Sequence, residues 1–328
     1  MKPRLRFNNI GRIAFWTALL APPGIALYSL GSGIVILGWL APELWGPWAE
    51  TVAGISALSL DIARVLLGVA FFGFVIDLVV LRNIFITRPP LAVRPAEGRG
   101  IVAVGMTAYN DEDAIGDAVK DFLSFPAVKD VIVIDNNCTD RTAKAAREAG
   151  AIVVEETRQG YGFACMRAME EAAARADIIV LVEGDGTFSA RDLAKMLAYL
   201  ENVDMVLGTR TTRELSAPDS QLDWMMNPGN QVVAKLIQLR CWGTRLTDVG
   251  CTYRAIRREA YEKLKPRLSV GGMHFSPHMI IEALLLPIRT IEVPVTFRKR
   301  VGQSKGVGNR RLRGMWVALQ MLWLIMKS

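Results

Sequence analysis

Two carboxylates separated by a single glycine follow an apolar run in this sequence. Glu183, Gly184 and Asp185 come directly after residues 178–182, which are all aliphatic. In an α/β protein such a run is typical of a buried strand, and ligands bind at the carboxyl ends of these strands. Carboxylate oxygens on a tight turn suit Mg²⁺ or Mn²⁺ held together with a phosphate-bearing substrate. An acidic turn without a ligand is the alternative.

Two more apolar runs end in polar clusters. The first leads to Tyr109 and Asp111, and the second to Asp135 and Asn136. Right-handed crossovers between parallel strands would bring all three clusters to one edge of a sheet. No G-x-G-x-x-G follows the first run and no G-x-x-x-x-G-K-[ST] occurs, which disfavours a dinucleotide-binding fold and a P-loop NTPase. The clusters therefore indicate a nucleotide site built without a phosphate loop.

Helical segments alternate with the apolar runs. Short β-branched runs that alternate with helices indicate βαβ units and a mostly parallel sheet. Helices are expected at residues 114–123, 142–149, 163–176 and 191–200, and further strands at residues 151–154 and 205–207. The predicted fold class is therefore α/β, with helices flanking a mostly parallel sheet.

Taken in order, these motifs resemble those of family 2 glycosyltransferases. Residues 107–111, 134–140, 158–162 and 183–187 are similar to the family's successive motifs, and residues 248–254 and 292–305 to the distal motifs of its dolichyl- or polyprenyl-phosphate mannosyl- or glucosyltransferase branch. The resemblance covers residues 100–305 and implies a GT-A fold and a nucleotide-sugar donor, UDP- or GDP-linked. Two positions depart from the family pattern. Glu183 replaces the usual first Asp of D-x-D, and Thr107 replaces the usual Pro.

The resemblance also implies roles on the donor side. Asp185 would be the leading catalytic metal ligand, with Glu183 and Thr187 as further ligands of Mg²⁺ or Mn²⁺. Glu183 is an alternative ligand of the donor ribose, and Thr187 is an alternative helix N-cap. The other donor-binding candidates are Thr107, Tyr109, Asp111, Asp135, Asn136, Gly184, Arg210, Arg300, Ser304 and Lys305.

A carboxylate and an arginine of one distal motif are assigned to the acceptor side. Asp248 is either a catalytic base or the residue that orients Arg254, and Arg254 would bind an acceptor phosphate. A hydroxyl acceptor needs a general base, whereas a lipid phosphate is already an anion. A purely structural ion pair between Asp248 and Arg254 is the alternative.

Two apolar segments near the N-terminus predict a transmembrane hairpin. Residues 13–42 contain no charged residue, and Asp77 is the only charged residue in 65–81. Since a span needs ~20 apolar residues, the spans are expected at about residues 13–40 and 63–86. A buried core helix is the alternative for the second. Basic residues flank the pair on its outer sides, which places both ends and the catalytic domain in the cytoplasm by the positive-inside rule.

The chain is therefore divided into three parts. Residues 1–95 form the membrane hairpin, residues 96–302 the GT-A domain, and residues 303–328 a phosphate-binding loop with a C-terminal amphipathic helix. The apolar run of that helix is too short to span, so it is expected at the membrane interface or packed on the enzyme. The net charge of +7 fits anionic headgroups and phosphates, and its clustering beside the membrane segments argues against nucleic acid.

The resulting hypothesis is a membrane-anchored, inverting glycosyltransferase that moves one sugar from a nucleotide sugar to a polyprenyl-phosphate lipid. The Q-x-x-R-W motif of processive synthases is absent, and two spans offer no evident polymer channel. Transfer to a lipid or polysaccharide hydroxyl, and a catalytically inactive scaffold that binds nucleotide sugars, are the alternatives. Homo-oligomerisation stays open. The four cysteines form no C-x-x-C pair and are expected to be free thiols.

Overall fold

The structure is a computed structural model of the 328-residue chain. It describes residues 17, 19–40, 43, 46–75, 100–217, 226–241, 244–302 and 311–327. These residues belong to two compact units, Met1–Pro89 and Pro90–Ser328. The first unit contains two long apolar helices, and the second contains an α/β fold.

The N-terminal unit is built from two helices that pack against each other. Its elements are helix α1 (Ala21–Leu40), a short 3₁₀ turn (Gly46–Trp48) and helix α2 (Ala49–Val75). A Cβ on Gly24 would lie 3.0 Å from Leu67 Cγ, and a Cβ on Gly31 would lie 2.5 Å from Ser59 Oγ. The order of these contacts makes the two helices antiparallel. Small residues permit this close approach, as they do between helices in membranes.

Both helices are long and apolar enough to cross a membrane, judged by length and composition. Helix α2 begins at Ala49, ahead of the predicted span, and the boundaries of the span itself stay a prediction. Asp61 lies within α2 and pairs with Arg64 at 2.6 Å, which offsets its charge locally. Residues 76–86 of the predicted span lie outside the described part of the chain. The three-part division of the chain stays a prediction.

The second unit contains a seven-stranded sheet in the order β3-β2-β1-β4-β6-β5-β7. Its strands are β1 (Val102–Ala108), β2 (Val128–Asp135), β3 (Ile152–Glu155), β4 (Ile178–Glu183), β5 (Met205–Thr209), β6 (Arg254–Arg257) and β7 (Thr290–Pro294). Strands β1 to β4 are parallel, β7 is parallel to β5, and β6 runs antiparallel between β4 and β5. The predicted α/β fold with a mostly parallel sheet is confirmed.

Helices cover the sheet and bury its aliphatic residues. They are α3 (Ile115–Leu123), α4 (Thr142–Glu148), α5 (Tyr161–Ala173), α6 (Leu193–Tyr199), α7 (Met226–Cys241), α8 (Arg258–Leu264), α9 (Phe275–Leu285) and α10 (Arg311–Lys327). Helix α3 illustrates why they form, because Ile115, Val119 and Phe122 recur at helical spacing and are all buried. Strand β1 is buried along its whole length, as a central parallel strand requires.

The C-terminal helix α10 has one packed side and one exposed apolar side. It contacts helices α7 and α9, and its Ile325 is fully buried. Trp316, Leu319 and Trp323 are more than half exposed, and their spacing places them on one face of the helix. The helix therefore packs on the α/β fold and also presents an apolar face.

The chain direction of the strands determines which loops meet. Thr107 of β1 is in register with Glu183 of β4, so the ends of these strands lie side by side. Because β6 is reversed, it is the start of that strand, at Arg254, that pairs with Leu181 and Leu207 near the ends of β4 and β5. The loop before β6 therefore joins the loops that follow the parallel strands at one edge.

Candidate active site

The acidic turn after β4 is held closely by its own residues. Asp185 Oδ1 accepts hydrogen bonds from the backbone N–H of Thr187 at 3.1 Å and from its hydroxyl at 2.6 Å. Thr187 thus supports the carboxylate, whereas the following 3₁₀ turn is capped by Ser189. At Gly184 a Cβ would lie 2.4 Å from Ile115 Cδ1, so a larger residue there would have to displace the buried Ile115 side chain. The turn can therefore present Asp185 in one orientation.

A basic residue from the segment after β7 lies against this turn. The guanidinium of Arg300 is 3.3 Å from Asp185 Oδ2 and 3.0 Å from Asp111 Oδ1. Its segment is attached by the backbone N–H of Arg298, which donates to Thr187 O at 2.8 Å, and by that of Val301, which donates to Asp185 O at 3.3 Å. The structure thus brings together predicted metal and phosphate ligands. Ser304 and Lys305 lie outside the described residues.

Glu183 is placed differently from Asp185. Its Oε1 accepts from the hydroxyl of Thr252 and lies 3.3 Å from that of Tyr161. Burial, together with the negative charge of Asp185, raises the pKa of Glu183 to about 7. Among the described residues, no hydrogen bond reaches its Oε2. That oxygen is therefore the one available to a ligand.

The loop after β1 presents an aromatic ring and an ordered carboxylate. Asp111 Oδ2 accepts from the backbone N–H of Tyr109 at 3.0 Å, and the backbone N–H of Asp111 donates to Thr142 Oγ1 at 2.8 Å. Tyr109 is 41% exposed, so its ring can stack on a planar base. Thr107, in contrast, is buried within β1, and we expect it to shape the strand end rather than to contact a ligand.

The loop after β2 has one residue available and one fully engaged. Asp135 is half-buried, and its Oδ1 accepts from the backbone N–H of Cys138 at 2.8 Å. Asn136 Nδ2 donates to the carbonyls of Glu156 and Arg158, each at 2.8 Å, and its Oδ1 accepts from the Gly160 N–H at 3.0 Å. The side chain of Asn136 therefore holds the loop after β3. The predicted donor contact of this side chain finds no support.

Asp248 forms a buried, bidentate ion pair with Arg210. Arg210 Nε lies 2.8 Å from Asp248 Oδ2, and its Nη2 lies 2.9 Å from Oδ1. The backbone N–H groups of Arg210 and Gly250 also donate to this carboxylate. Although burial alone would raise the pKa of Asp248, the charge of Arg210 outweighs it and the pKa is lowered. A carboxylate held in this way is a poor base.

Arg254 does not pair with Asp248, so both the predicted orienting contact and the alternative ion pair were wrong. Arg254 is 1% exposed, its Nε donates to Cys251 O at 3.1 Å, and its two terminal nitrogens have no partner among the described residues. The physical reason is that Arg210, which directly follows β5, already pairs with the Asp248 carboxylate. Burial also weighs against direct contact between Arg254 and an acceptor.

Several residues at this edge were missed. Glu292 accepts hydrogen bonds from the backbone N–H groups of Thr247 and Asp248, both at 2.9 Å, and so holds the backbone that carries Asp248. Tyr161 and Thr252 contact Glu183, as described above. Tyr161 and Glu292 both lie in motifs noted in the sequence, but nothing in those motifs indicated that their side chains point toward the carboxylates.

The acidic side chains fit a divalent ion that is shared with a substrate. In the described part of the chain, no group of three or more His, Cys, Asp and Glu is placed to hold a metal without other ligands. Mg²⁺ is commonly bound by one or two carboxylates together with substrate phosphates. Asp185 and Glu183 Oε2 supply two such oxygens, and the cationic Arg300 beside Asp185 shows that the turn accommodates positive charge. A diphosphate would supply the remaining ligands.

Solved structures share this fold. Glucosyl-3-phosphoglycerate synthase from Mycobacterium tuberculosis, solved in complex with Mn²⁺, uridine-diphosphate and phosphoglyceric acid, matches with a TM-score of 0.53 at 19% identity, covering 74% of this chain and 84% of that one. At this identity the likeness shows the fold alone. The GT-A fold expected from the motifs is confirmed.

Sequence comparisons identify the family. The low-salt glycan biosynthesis hexosyltransferase Agl6 of Haloferax volcanii is 30% identical over 208 residues, 62% of this chain and 49% of Agl6. The dolichyl-phosphate hexose transferase of the same organism is 29% identical over 205 residues, 62% of this chain and 86% of that protein. The chain thus spans about half of Agl6. Residues 103–265 match the family model described as Glycosyl transferase family 2. The chain belongs to glycosyl transferase family 2.

Proposed function

We propose that this protein is a membrane-anchored, metal-dependent, inverting hexosyltransferase that moves one sugar from a nucleotide sugar to a polyprenyl-phosphate lipid. The observation that carries the proposal is the meeting of Glu183, Asp185 and Arg300 at the edge where the loops of β1 and β2 also end. Carboxylates and a guanidinium at one point suit a diphosphate that binds together with a cation. The neighbouring ring of Tyr109 suits its base.

The donor would lie across this edge with its base beside Tyr109 and its diphosphate beside Arg300. Asp185 and Glu183 would hold Mg²⁺ or Mn²⁺, which when bound neutralises charge on the leaving diphosphate. Arg300 leaves the carboxylates of Asp111 and Asp185 to pair with a phosphate oxygen. The cation would then replace Arg300 as the counter-charge of Asp185, which matters because Asp185 is only 2% exposed, and Asp111 would keep its hydrogen bond from the Tyr109 N–H.

The acceptor oxygen would form a bond to the anomeric carbon as the bond from that carbon to the diphosphate oxygen breaks, which inverts the configuration. The structure favours an acceptor that is already an anion, because Asp248 is saturated by Arg210 and has a lowered pKa. A lipid phosphate needs no proton removed. A hydroxyl acceptor would need a base that this ion pair does not provide.

A lipid acceptor also agrees with the apolar surfaces of the chain. Helices α1 and α2 are long and apolar enough to span a bilayer. Helix α10 presents Trp316, Leu319 and Trp323 outward, and aromatic side chains of this kind favour the membrane interface. The name of one relative, dolichyl-phosphate hexose transferase, points to the same acceptor class. Basic residues at the outer ends of the hairpin favour a cytoplasmic catalytic domain, where nucleotide sugars are made.

The test is a transfer assay with the purified full chain in detergent. Radiolabelled UDP- and GDP-hexoses are offered with Mn²⁺ and either a polyprenyl phosphate or the matching polyprenol, which has a hydroxyl in place of the phosphate. We expect one labelled hexose in the phosphate lipid and none in the polyprenol. Transfer to the polyprenol would favour a hydroxyl acceptor. Binding of UDP or GDP without transfer to either lipid would favour an inactive scaffold.

A further inference from the structure

A chain of three hydroxyl groups leads to Glu183 from three different elements. The hydroxyl of Tyr161, the first residue of α5, lies within hydrogen-bonding distance of Thr252 Oγ1 and is 3.4 Å from Ser276 Oγ. Thr252 precedes β6, and Ser276 lies in the first turn of α9. Thr252 in turn donates to Glu183 Oε1. Four segments distant in the sequence therefore meet at one carboxylate.

The direction of these hydrogen bonds follows from counting hydrogens. Each hydroxyl has one hydrogen to donate, and an ionised carboxylate only accepts. Thr252 gives its hydrogen to Glu183 Oε1, so in the pair with Tyr161 it must accept. Tyr161 then donates to Thr252, and Ser276 donates to Tyr161. The result is a polarised series in which every hydrogen points toward the carboxylate, an arrangement in which successive bonds strengthen one another.

This series reaches one oxygen of Glu183 and leaves the other available. Oε1 accepts from Thr252 and lies 3.3 Å from the Tyr161 hydroxyl, whereas no hydrogen bond within the described residues reaches Oε2. A glutamate has one more rotatable bond than an aspartate, and its carboxylate reaches farther from the backbone. Fixing Oε1 limits that freedom and leaves Oε2, two residues along the chain from Asp185, as the oxygen available to the cation. A shorter aspartate at residue 183 would not reach these hydroxyls.

We propose that Tyr161 is a positioning residue that, through Thr252, orients the Glu183 carboxylate for a divalent cation shared with a nucleotide diphosphate. The inference rests on the proposed function. Tyr161 and Thr252 would allow a glutamate to bind the cation at a position where the family usually has an aspartate. Tyr161 itself contacts neither the cation nor the nucleotide.

The test measures Mn²⁺ binding by titration calorimetry, in the presence of UDP and, separately, GDP, on the full chain in detergent. Tyr161→Phe removes the hydroxyl and keeps the ring, and we expect Mn²⁺ to bind more weakly by up to about tenfold, the effect of losing one hydrogen bond between neutral groups. Tyr199→Phe is the matched control, because Tyr199 is 45% exposed on α6 and takes no part in the hydrogen bonds of the series. Its Mn²⁺ affinity should equal that of the wild type.

A double-mutant cycle separates positioning from mere stabilisation. In a Glu183→Asp background there is no glutamate carboxylate for the hydroxyl series to orient. Tyr161→Phe should therefore cause no further loss of Mn²⁺ affinity in that background. Should Tyr161→Phe fail to fold, Thr252→Val and Thr252→Ser supply the same comparison. The valine variant loses the hydroxyl and should bind Mn²⁺ more weakly than the serine variant, which keeps it.

The outcomes distinguish the inference from the proposed function. Equal Mn²⁺ affinity of the wild type and Tyr161→Phe overturns the inference and leaves the proposed function intact. An equal loss in the Glu183 and Glu183→Asp backgrounds also overturns it, because the hydroxyl would then act independently of the glutamate. If the wild-type protein fails to bind Mn²⁺ both in the presence of UDP and in the presence of GDP, the proposed function is overturned, and the inference with it.

Discussion

Replacing Asp248 by asparagine tests whether this carboxylate is a base or one half of an ion pair. The carboxylate accepts four hydrogen bonds, from Arg210 Nε, Nη2 and N–H and from the Gly250 N–H. In either orientation, the amide nitrogen of asparagine would face two of these four donors. Two hydrogen bonds are then lost, and the Arg210 guanidinium loses its counter-charge.

The size of the effect follows from these contacts. Two hydrogen bonds to a charged group are worth roughly 3–6 kcal/mol together, and breaking a buried ion pair costs about 3–5 kcal/mol. Asp248 is 1% exposed and the Arg210 side chain 14%, so solvent screens the pair little. We therefore expect Asp248→Asn to lower the free energy of unfolding by about 3–5 kcal/mol.

Asp177→Asn is the matched control, because it also removes a carboxylate paired with an arginine. The Asp177–Arg258 distance is 2.8 Å, as in the buried pair, but the side chains are 51% and 48% exposed. Exposed pairs contribute ~0–1 kcal/mol. Urea unfolding of the full chains in detergent, followed by circular dichroism, measures both variants.

The pH dependence supplies a second check with a definite sign. The pKa of Asp248 is lowered in the folded protein, so its stabilising effect is present above the unfolded value of about 4 and is lost as pH falls below it. The stability gap between wild type and Asp248→Asn should stay constant from pH 8 to about 5 and shrink at lower pH. An Asp248→Asn protein as stable as wild type, with transfer reduced about 10²–10⁴-fold, would refute the ion-pair account and restore a general base.

Three further predictions concern metal, pH and topology. Asp185→Asn should reduce transfer at least about 100-fold, and EDTA should inhibit the wild type until Mn²⁺ or Mg²⁺ is added. Asp117→Asn, which changes an exposed carboxylate, should transfer at the wild-type rate. An active Asp185→Asn variant would contradict the assignment of the site. Burial lowers the pKa of His278 in the folded protein, so the stabilising contribution of the neutral side chain is present above about pH 6.5 and is lost as the pH falls below that value. In urea titrations, the free energy of unfolding of His278→Gln should therefore depend less on pH than that of the wild type. A thiol at Glu50 should react with an impermeant maleimide on intact cells and one at Lys144 should not, and the reverse labelling would contradict a cytoplasmic catalytic domain.

The elements of the sheet could be predicted because their signals are local. Helix α3 was expected at residues 114–123 and spans Ile115–Leu123, since its apolar residues recur at helical spacing. The residues 178–182 were likewise expected to form the strand that became β4. Helix α2 begins well before the apolar residues 65–81, because Asp61 pairs with Arg64 within the helix and its charge does not end the helix.

The pairing of side chains could not be predicted in the same way. The Asp248–Arg210 pair joins residues 38 apart, and the Tyr161–Thr252 contact joins residues 91 apart. Both depend on β6 running antiparallel between β4 and β5, which places the loop before β6 beside loops from distant strands. A motif shows which residues occur together in the chain. It does not show which of them Arg254 or Asp248 will face.

The reversed strand β6 has an evolutionary consequence. Apart from Arg300, the proposed donor site comes from one continuous stretch, β1 to the turn after β4, whose parallel ladder is complete without β6. In the described part of the chain, the residues between β5 and β6 form a single β-bridge, from Ser216 to Phe297, before they lead into β6. That stretch can be exchanged between relatives without altering any register among β1, β2, β3 and β4. Because Thr252 of this stretch contacts Glu183, a chimeric enzyme that exchanges residues 210–253 would have to keep a hydroxyl at residue 252.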